Sequence, residues 1–355
     1  MAKVLMKGNE AIGEAAIRAG CLNYFAYPIT PQSEVAEYLA KRMPEVNGHF
    51  LQGESEVAVG YMIFGAAACG ERVMTTSSSP GISLMSEAIS YIAAARCPAV
   101  FVNIVRGGPG LGGILPSQAD YFQATKGGGH GDYRLLVMAP DGVQEAVEMV
   151  MKAFPLAEKY RAPVMVMGDG LIGQMMEPVE FPEDLFVEPT NKDSWATTGM
   201  DKRGAKTKNI VKSLYLDPDE LNNNNLALKE QYKKMEQELM YEEYNTDTDY
   251  KVLIVSYGTM SRVCRTAIDN MKDQGIEIAM LRPKTLFPFP GKQIHDAAIK
   301  ESCQSVISIE MSMGQMVEDV ERFVMGKRKV EWYGECGGNI PSPEKIESVV
   351  KALVK

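Results

Sequence analysis

The run AVFVNIV at residues 99–105 constrains the fold more than any other feature, because a strand that is apolar without alternation needs cover on both faces. A parallel sheet between two layers of helices gives that cover. The same theme repeats around it. Strands are expected just after the N-terminus and at 23–27, 49–52, 72–76, 99–105, 135–139 and 163–167. Helical stretches stand between them at 10–19, 30–41, 54–70, 79–97 and 143–160. Gly20 and Gly70 close two of these, since glycine accepts the left-handed turn that ends a helix. Thr30-Pro31 opens another, the threonine as cap and the proline in the first turn. Repeated strand–helix alternation predicts an α/β fold, a doubly wound parallel sheet over 1–180.

From 181 to 249 the alternation lapses into Pro-containing and charged segments. An Asn222–Asn225 run and one helix at 226–244 are the expected features there. This stretch reads as a structured linker that clasps a neighbouring chain. Alternation resumes over 250–355 with KVLIVSYGT (251–259), IEIAML (276–281), SVISIEM (305–311) and KVEWYG (329–334). A second, smaller α/β domain follows from it.

Length and composition agree with two domains. The chain has 355 residues, against roughly 100–200 for a single domain. With 45% hydrophobic and 23% charged residues it buries a core, which excludes whole-chain disorder. A net charge of −9 and a pI near 5.1 argue against a grip on nucleic-acid phosphates. No stretch reaches the roughly 18 apolar residues of a membrane helix, and a cytoplasmic protein is expected. The six cysteines stand far apart without a C-x-x-C, so they read as reduced thiols that hold no iron–sulfur centre in this chain. The 23 methionines read as adaptable core filling.

Three places offer chemistry. Tyr27-Pro28-Ile29-Thr30-Pro31 lies where a strand gives way to a helix, at the carboxyl edge of a parallel sheet, where open α/β sheets bind ligands. Free amides there suit a carboxylate, unless Thr30 does no more than cap its helix. Gln52-Gly53-Glu54-Ser55-Glu56 occupies another such junction. Its two acids are either partners of the helix dipole or include one that shares a proton with a cofactor nitrogen. Arg106 ends the 99–105 run and precedes glycines that admit close approach. It is placed to hold a carboxylate with its two-pronged donor face, or else stands as a surface residue beside a flexible loop. His130 and Asp132 form either an acid–base pair or, as the preferred reading, loop structure. The glycine runs 107–113 and 127–129 fit neither the phosphate-loop nor the dinucleotide pattern, so neither ATP nor NAD is expected. No G-x-S-x-G turn and no metal-ligand spacing is present. Chemistry here would need a borrowed cofactor.

Taken together, YPITP (27–31), GESEVAVG (53–60), TTSSSPG (75–81), NIVRGGPGLGG (103–113) and PSQADYFQATKGGGHGD (116–132) resemble the α subunit of 2-oxoacid:ferredoxin oxidoreductases. The last two are most similar to the 2-oxoisovalerate branch. The resemblance implies that 1–180 is the domain that receives the pyrimidine end of thiamine diphosphate, followed by a domain like the C-terminal one of transketolase. It implies that Glu56 hydrogen-bonds the pyrimidine ring nitrogen and so promotes loss of the thiazolium proton, with Glu54 as a possible sharer of the role. Thr30 and Arg106 match positions that contact the 2-oxoacid.

The implied reaction takes a 2-oxoacid and CoA to acyl-CoA, carbon dioxide and reduced ferredoxin. A β subunit would hold the diphosphate with Mg²⁺, the [4Fe-4S] clusters would lie in β and a ferredoxin-like δ subunit, and a γ subunit would complete the set. The isolated chain is expected to be inactive. The alternatives are the same chemistry on 2-oxoglutarate or pyruvate, and a non-catalytic transketolase-like scaffold.

Overall fold

A computed structural model describes residues 3–200, 204 and 207–354. Its main sheet has seven strands, and six of them run parallel: in spatial order Leu136–Met138, Pro163–Asp169, Ala99–Val105, Val73–Ser77, Asn23–Ala26 and His49–Gln52. Both faces of Ala99–Val105 are covered, as its apolar run requires. Phe101 and Val105 pack with helices Glu56–Ala68 and Ser79–Ala94, through Val59, Ile63, Ile82 and Met85. Val100, Val102 and Ile104 pack on the opposite face with Gly8–Arg18, Ser33–Glu45 and Val143–Tyr160, through Ile12, Leu39 and Val147. Strand order reverses between Asn23–Ala26 and Val73–Ser77, which makes a crevice at the carboxyl ends of the strands.

The expected N-terminal strand exists but lies outside this sheet. Val4–Lys7 pairs antiparallel with Met176–Val179 as a two-stranded ribbon. The seventh strand of the main sheet, Thr285–Phe287, comes from the second half of the chain and runs antiparallel beside Leu136–Met138.

The second sheet is ordered Lys329–Gly334, Ser305–Glu310, Val252–Val255, Ile278–Pro283 and Tyr241–Tyr244. Its first four strands are parallel and the last is antiparallel. Helices Gly258–Lys272 and Pro343–Lys351 cover one face through Cys264, Ile268, Ile346 and Val350. On the other face Ile294, Met316 and Val320 of Gly291–Ala298 and Met316–Val324 join the same apolar cluster as Phe101. One core is therefore shared by the two sheets.

Polar groups fix how the two halves sit. Gln118 donates from Nε2 to the Tyr257 carbonyl at 2.7 Å and accepts at Oε1 from the Met311 amide at 2.9 Å. The Tyr257 hydroxyl returns to the Gln118 carbonyl at 3.1 Å. Tyr121 donates to Asp319 at 2.6 Å, and Gln315 bonds the Ala119 carbonyl and the Phe122 amide. The segment 117–122 is thus a seam. Beside it the buried Arg282 meets Asp141 at 2.9 Å and Glu145 of the first half, and Glu242 at 2.7 Å.

Three expectations need correction. The helix placed at 226–244 is Pro218–Met235, and Tyr241–Tyr244 is a strand. Asp217 caps that helix by accepting from the amides of Asp219 and Glu220, and Pro218 fills its first turn, so the asparagine run lies inside it. Thr30 does not cap its helix, which begins at Ser33 with Gln32 preceding it. Nor is Glu54 in a first turn: Ser55 caps the following helix by accepting from the Ala58 amide at 3.2 Å, so the helix starts at Glu56.

The main sheet is held at its amino-terminal edge by one buried ion pair. Arg72 grips Glu158 with two bonds of 2.9 and 3.0 Å, their side chains 3% and 2% exposed, and Lys192 adds a contact at 3.0 Å. Burial would raise the Glu158 carboxyl, but Arg72 and Lys192 hold it below its ordinary value. The folded state therefore binds the ionised form better. Its contribution is present above about pH 4.3, the unfolded value, and is lost as pH falls through the lower folded one. Glu158→Gln leaves Arg72 buried with half its partner gone. It is expected to cost on the order of 3 kcal/mol in urea unfolding at pH 7, with a smaller loss at pH 3.

Candidate active site

Four neighbouring strands deliver the candidate residues to one edge. Asn23–Ala26 leads into Thr30, His49–Gln52 into Glu56, Val73–Ser77 into Ser78 and Gly81, and Ala99–Val105 into Arg106. All are at carboxyl ends, beside the strand-order reversal. Side chains there face the crevice rather than the bottom of the sheet.

Glu56 is the first residue of its helix and is 6% exposed. No hydrogen bond to its carboxylate forms among the described residues, whose fully enclosed unpaired atoms do not include its oxygens. It lies against the start of helix Ser79–Ala94, where a Cβ on Gly81 would stand 2.8 Å from Glu56 Oε1 and 2.0 Å from Ser77 Oγ. Glycine at 81 is what leaves room for both groups. The hydroxyls of Thr75, Ser77 and Ser78 are buried close by in sequence and have no hydrogen-bond partner. Unpaired polar atoms at this density on one strand end need explaining.

Arg106 ties the edge together. Its Nη1 donates to the Thr30 carbonyl at 2.9 Å and its Nη2 to the Leu111 carbonyl at 3.2 Å. Its own amide donates to Ser79 Oγ at 3.1 Å, and that hydroxyl donates to the Arg106 carbonyl at 3.3 Å. Nε is buried without a partner. A guanidinium has five N–H donors, so two bonds to carbonyls leave Nε and one hydrogen on each terminal nitrogen. The Ser79 amide meets Asn103 Oδ1 at 3.1 Å, and Asn103 donates to Asp120 at 2.9 Å. Burial pushes the Asp120 carboxyl up, against the opposing effect of Ser79 and Asn103. One chain of bonds thus runs from the crevice to the seam between the sheets.

The structure brings Thr30 and Arg106 into direct contact through the Thr30 carbonyl, while the Thr30 side chain is exposed. It places Glu56 on the neighbouring strand end and turns Glu54 outward. His130 and Asp132 are exposed on a separate loop, where the His130 carbonyl accepts from Ser90 and its ring meets the edge of Tyr91. No bond joins that pair to the crevice among the described residues. The sequence alone assigns no task to the members of TTSSSPG. Its spacing carries the signal, since serine at 77 and glycine at 81 leave room for the Glu56 carboxylate.

A family model described as pyruvate flavodoxin/ferredoxin oxidoreductase, thiamine diphosphate-binding, matches residues 14–246, and one for the pyruvate:ferredoxin oxidoreductase core domain II matches 251–346. The VorB subunit of ketoisovalerate oxidoreductase from Methanothermobacter thermautotrophicus is 49% identical, over 96% of this chain and 95% of its own length. The KorA subunit of 2-oxoglutarate synthase from the same organism is 33% identical, over 97% of each chain. In three dimensions the chain resembles a 2-oxoglutarate:ferredoxin oxidoreductase from Magnetococcus marinus, with a TM-score of 0.85 and 28% identity, covering all of this chain and 66% of the other. A split-gene transketolase shares the fold, at a TM-score of 0.60 and 13% identity over 98% of each chain. On the evidence of the two family models and of relatives that align end to end, the chain belongs to the thiamine-diphosphate-dependent 2-oxoacid:ferredoxin oxidoreductases, as one of their subunits.

Proposed function

We propose that this chain is the α-type subunit of a cytoplasmic oxidoreductase that converts 2-oxoisovalerate and CoA to the branched acyl-CoA, carbon dioxide and reduced ferredoxin. The observation that carries the catalytic part is the buried Glu56, whose carboxylate shares the space over Gly81 with the unpaired Ser77 hydroxyl. The similarity to VorB favours the branched-chain substrate over 2-oxoglutarate or pyruvate.

The donor set fits the pyrimidine end of thiamine diphosphate. A ring nitrogen presented to Glu56 supplies the partner that this carboxylate lacks, and Gly81 leaves the approach open. When bound, the cofactor supplies the nucleophilic carbon that attacks the 2-keto carbon and keeps the electrons released with carbon dioxide. Glu56 holds a proton between its carboxylate and the ring nitrogen, which raises the basicity of the pyrimidine amino group. Arg106, with Nε uncommitted and Thr30 fixed beside it, orients the carboxylate of the oxoacid. The burial of Glu56 and Arg106 strengthens their contacts by excluding water.

Other chains complete the site. The glycine loop exposes Leu111 (83%), Ile114 and Leu115 next to Arg106, an apolar rim suited to cover by a neighbour. A β subunit holds the diphosphate and Mg²⁺ against it. The [4Fe-4S] clusters belong to β and to a ferredoxin-like δ subunit, since this chain's cysteines are scattered and no group of three or more metal ligands occurs among its described residues. A γ subunit completes the assembly.

Reconstituted complex should reduce ferredoxin or a viologen dye with a higher kcat/KM for 2-oxoisovalerate than for 2-oxoglutarate or pyruvate. A clear preference for either rival would reassign the substrate, and no reduction with any of them would favour a scaffold. In the same complex Glu56→Gln should lower kcat by about 100-fold or more without loss of assembly. Near-normal turnover would move the role to Glu54.

A further inference from the structure

At the opposite, amino-terminal edge of the main sheet two arginines occupy positions that usually belong to glycine. Arg96 follows helix Ser79–Ala94 and Arg161 follows Val143–Tyr160, both in the left-handed region, with φ of 56° and 43°. A long side chain is uncommon in that region. Both border a cavity of about 530 Å³ together with Lys208, Lys212, Trp195 and Tyr215. In a chain of net charge −9, the lining has four basic residues and no acidic one among the described residues.

The cations are mostly left without counter-charge. The Arg161 guanidinium lies 4.2 Å over the Trp195 ring and spends only Nε, on the Arg96 carbonyl at 3.1 Å. Arg96 spends Nε and Nη2 on Gln231 Oε1 at 3.3 and 3.0 Å. Neither arginine has an acidic partner among the described residues, and nor does Lys208; Lys212 pairs with Glu220 at 3.0 Å. Burial first, and the adjacent Arg96 charge second, hold Arg161 below its ordinary value. A stacked guanidinium keeps its donor edge free for bidentate contact with an oxyanion. Asn224 adds a neutral donor to the wall, since its amide nitrogen spends one hydrogen on the Ala94 carbonyl at 3.2 Å and keeps the other.

We propose that this cavity binds a small phosphate-bearing anion, gripped by Arg161 and Arg96 with Lys208 as a third charge. The site is remote from Glu56 and rests on none of the catalytic reading. It is tested by calorimetric titration of the purified full chain with inorganic phosphate, pyrophosphate and ADP at low ionic strength. Pyrophosphate and ADP should bind, with affinity that falls as salt rises. Equal affinity for the two marks recognition of phosphate alone, and tighter ADP marks a contribution from the aromatic walls. Arg161→Gln and Lys208→Gln should each weaken binding by about tenfold or more. Lys208 is exposed, so its variant carries the test if Arg161→Gln loses its fold. Absence of binding by all three anions overturns the proposal, and so does binding that both variants leave unchanged; an acidic peptide that binds where the phosphates do not would point to a protein partner instead.

Discussion

Arg106 is the point on which the crevice depends. A parallel sheet delivers loop after loop to its carboxyl edge, but nothing in sheet geometry holds those loops to one another. The Arg106 guanidinium does so by bonding the carbonyls of Thr30 and Leu111, while its backbone and the Ser79 hydroxyl bond each other in both directions. Two loops and the start of helix Ser79–Ala94 are thereby fixed around the place where Gly81 meets Glu56. Charge-assisted bonds of this kind are among the stronger ones available to a buried site. Because two carbonyls take only part of its donor capacity, the same residue has hydrogens left for a ligand.

The second half of the chain acts on this edge through the seam. Gln118 and Tyr257 bond each other reciprocally, and Tyr121 reaches Asp319. Thr285–Phe287 extends the main sheet, and the cluster around Phe101 continues into Met316 and Val320. Asn103 and Asp120 connect this seam to Ser79, hence to Arg106. A displacement of the second sheet would therefore be felt at the crevice through a short series of bonds rather than through a flexible linker.

Much of the fold was legible because periodicity reports burial. AVFVNIV, VLIV and SVISIE carry no alternation, and each proves to be an inner strand covered on both sides. Less legible were elements whose partners are remote in sequence. Nothing local tells that Val4–Lys7 pairs with Met176–Val179, or that Thr285–Phe287 joins the other sheet. The helix at Pro218–Met235 had an ordinary cap signal in Asp217-Pro218 that was outweighed by the asparagine run. At the site, residue types at strand ends indicated Thr30, Glu56 and Arg106, but the local reading of Thr30 as a cap fails against the actual helix start at Ser33. The contribution of Gly81 and the role of PSQAD as a seam depend on contacts across tens of residues, which no window of sequence contains.

On the proposed function, Glu56 activates the cofactor from within a site shared between chains. The most direct test is exchange of the thiazolium C2 proton for deuterium in thiamine diphosphate bound to the reconstituted complex, measured by rapid quench and NMR without any oxoacid. Fast exchange in the native complex and exchange slowed by about 100-fold or more in Glu56→Gln, with the cofactor still bound, is the result expected. Equal exchange rates in the two complexes would contradict it.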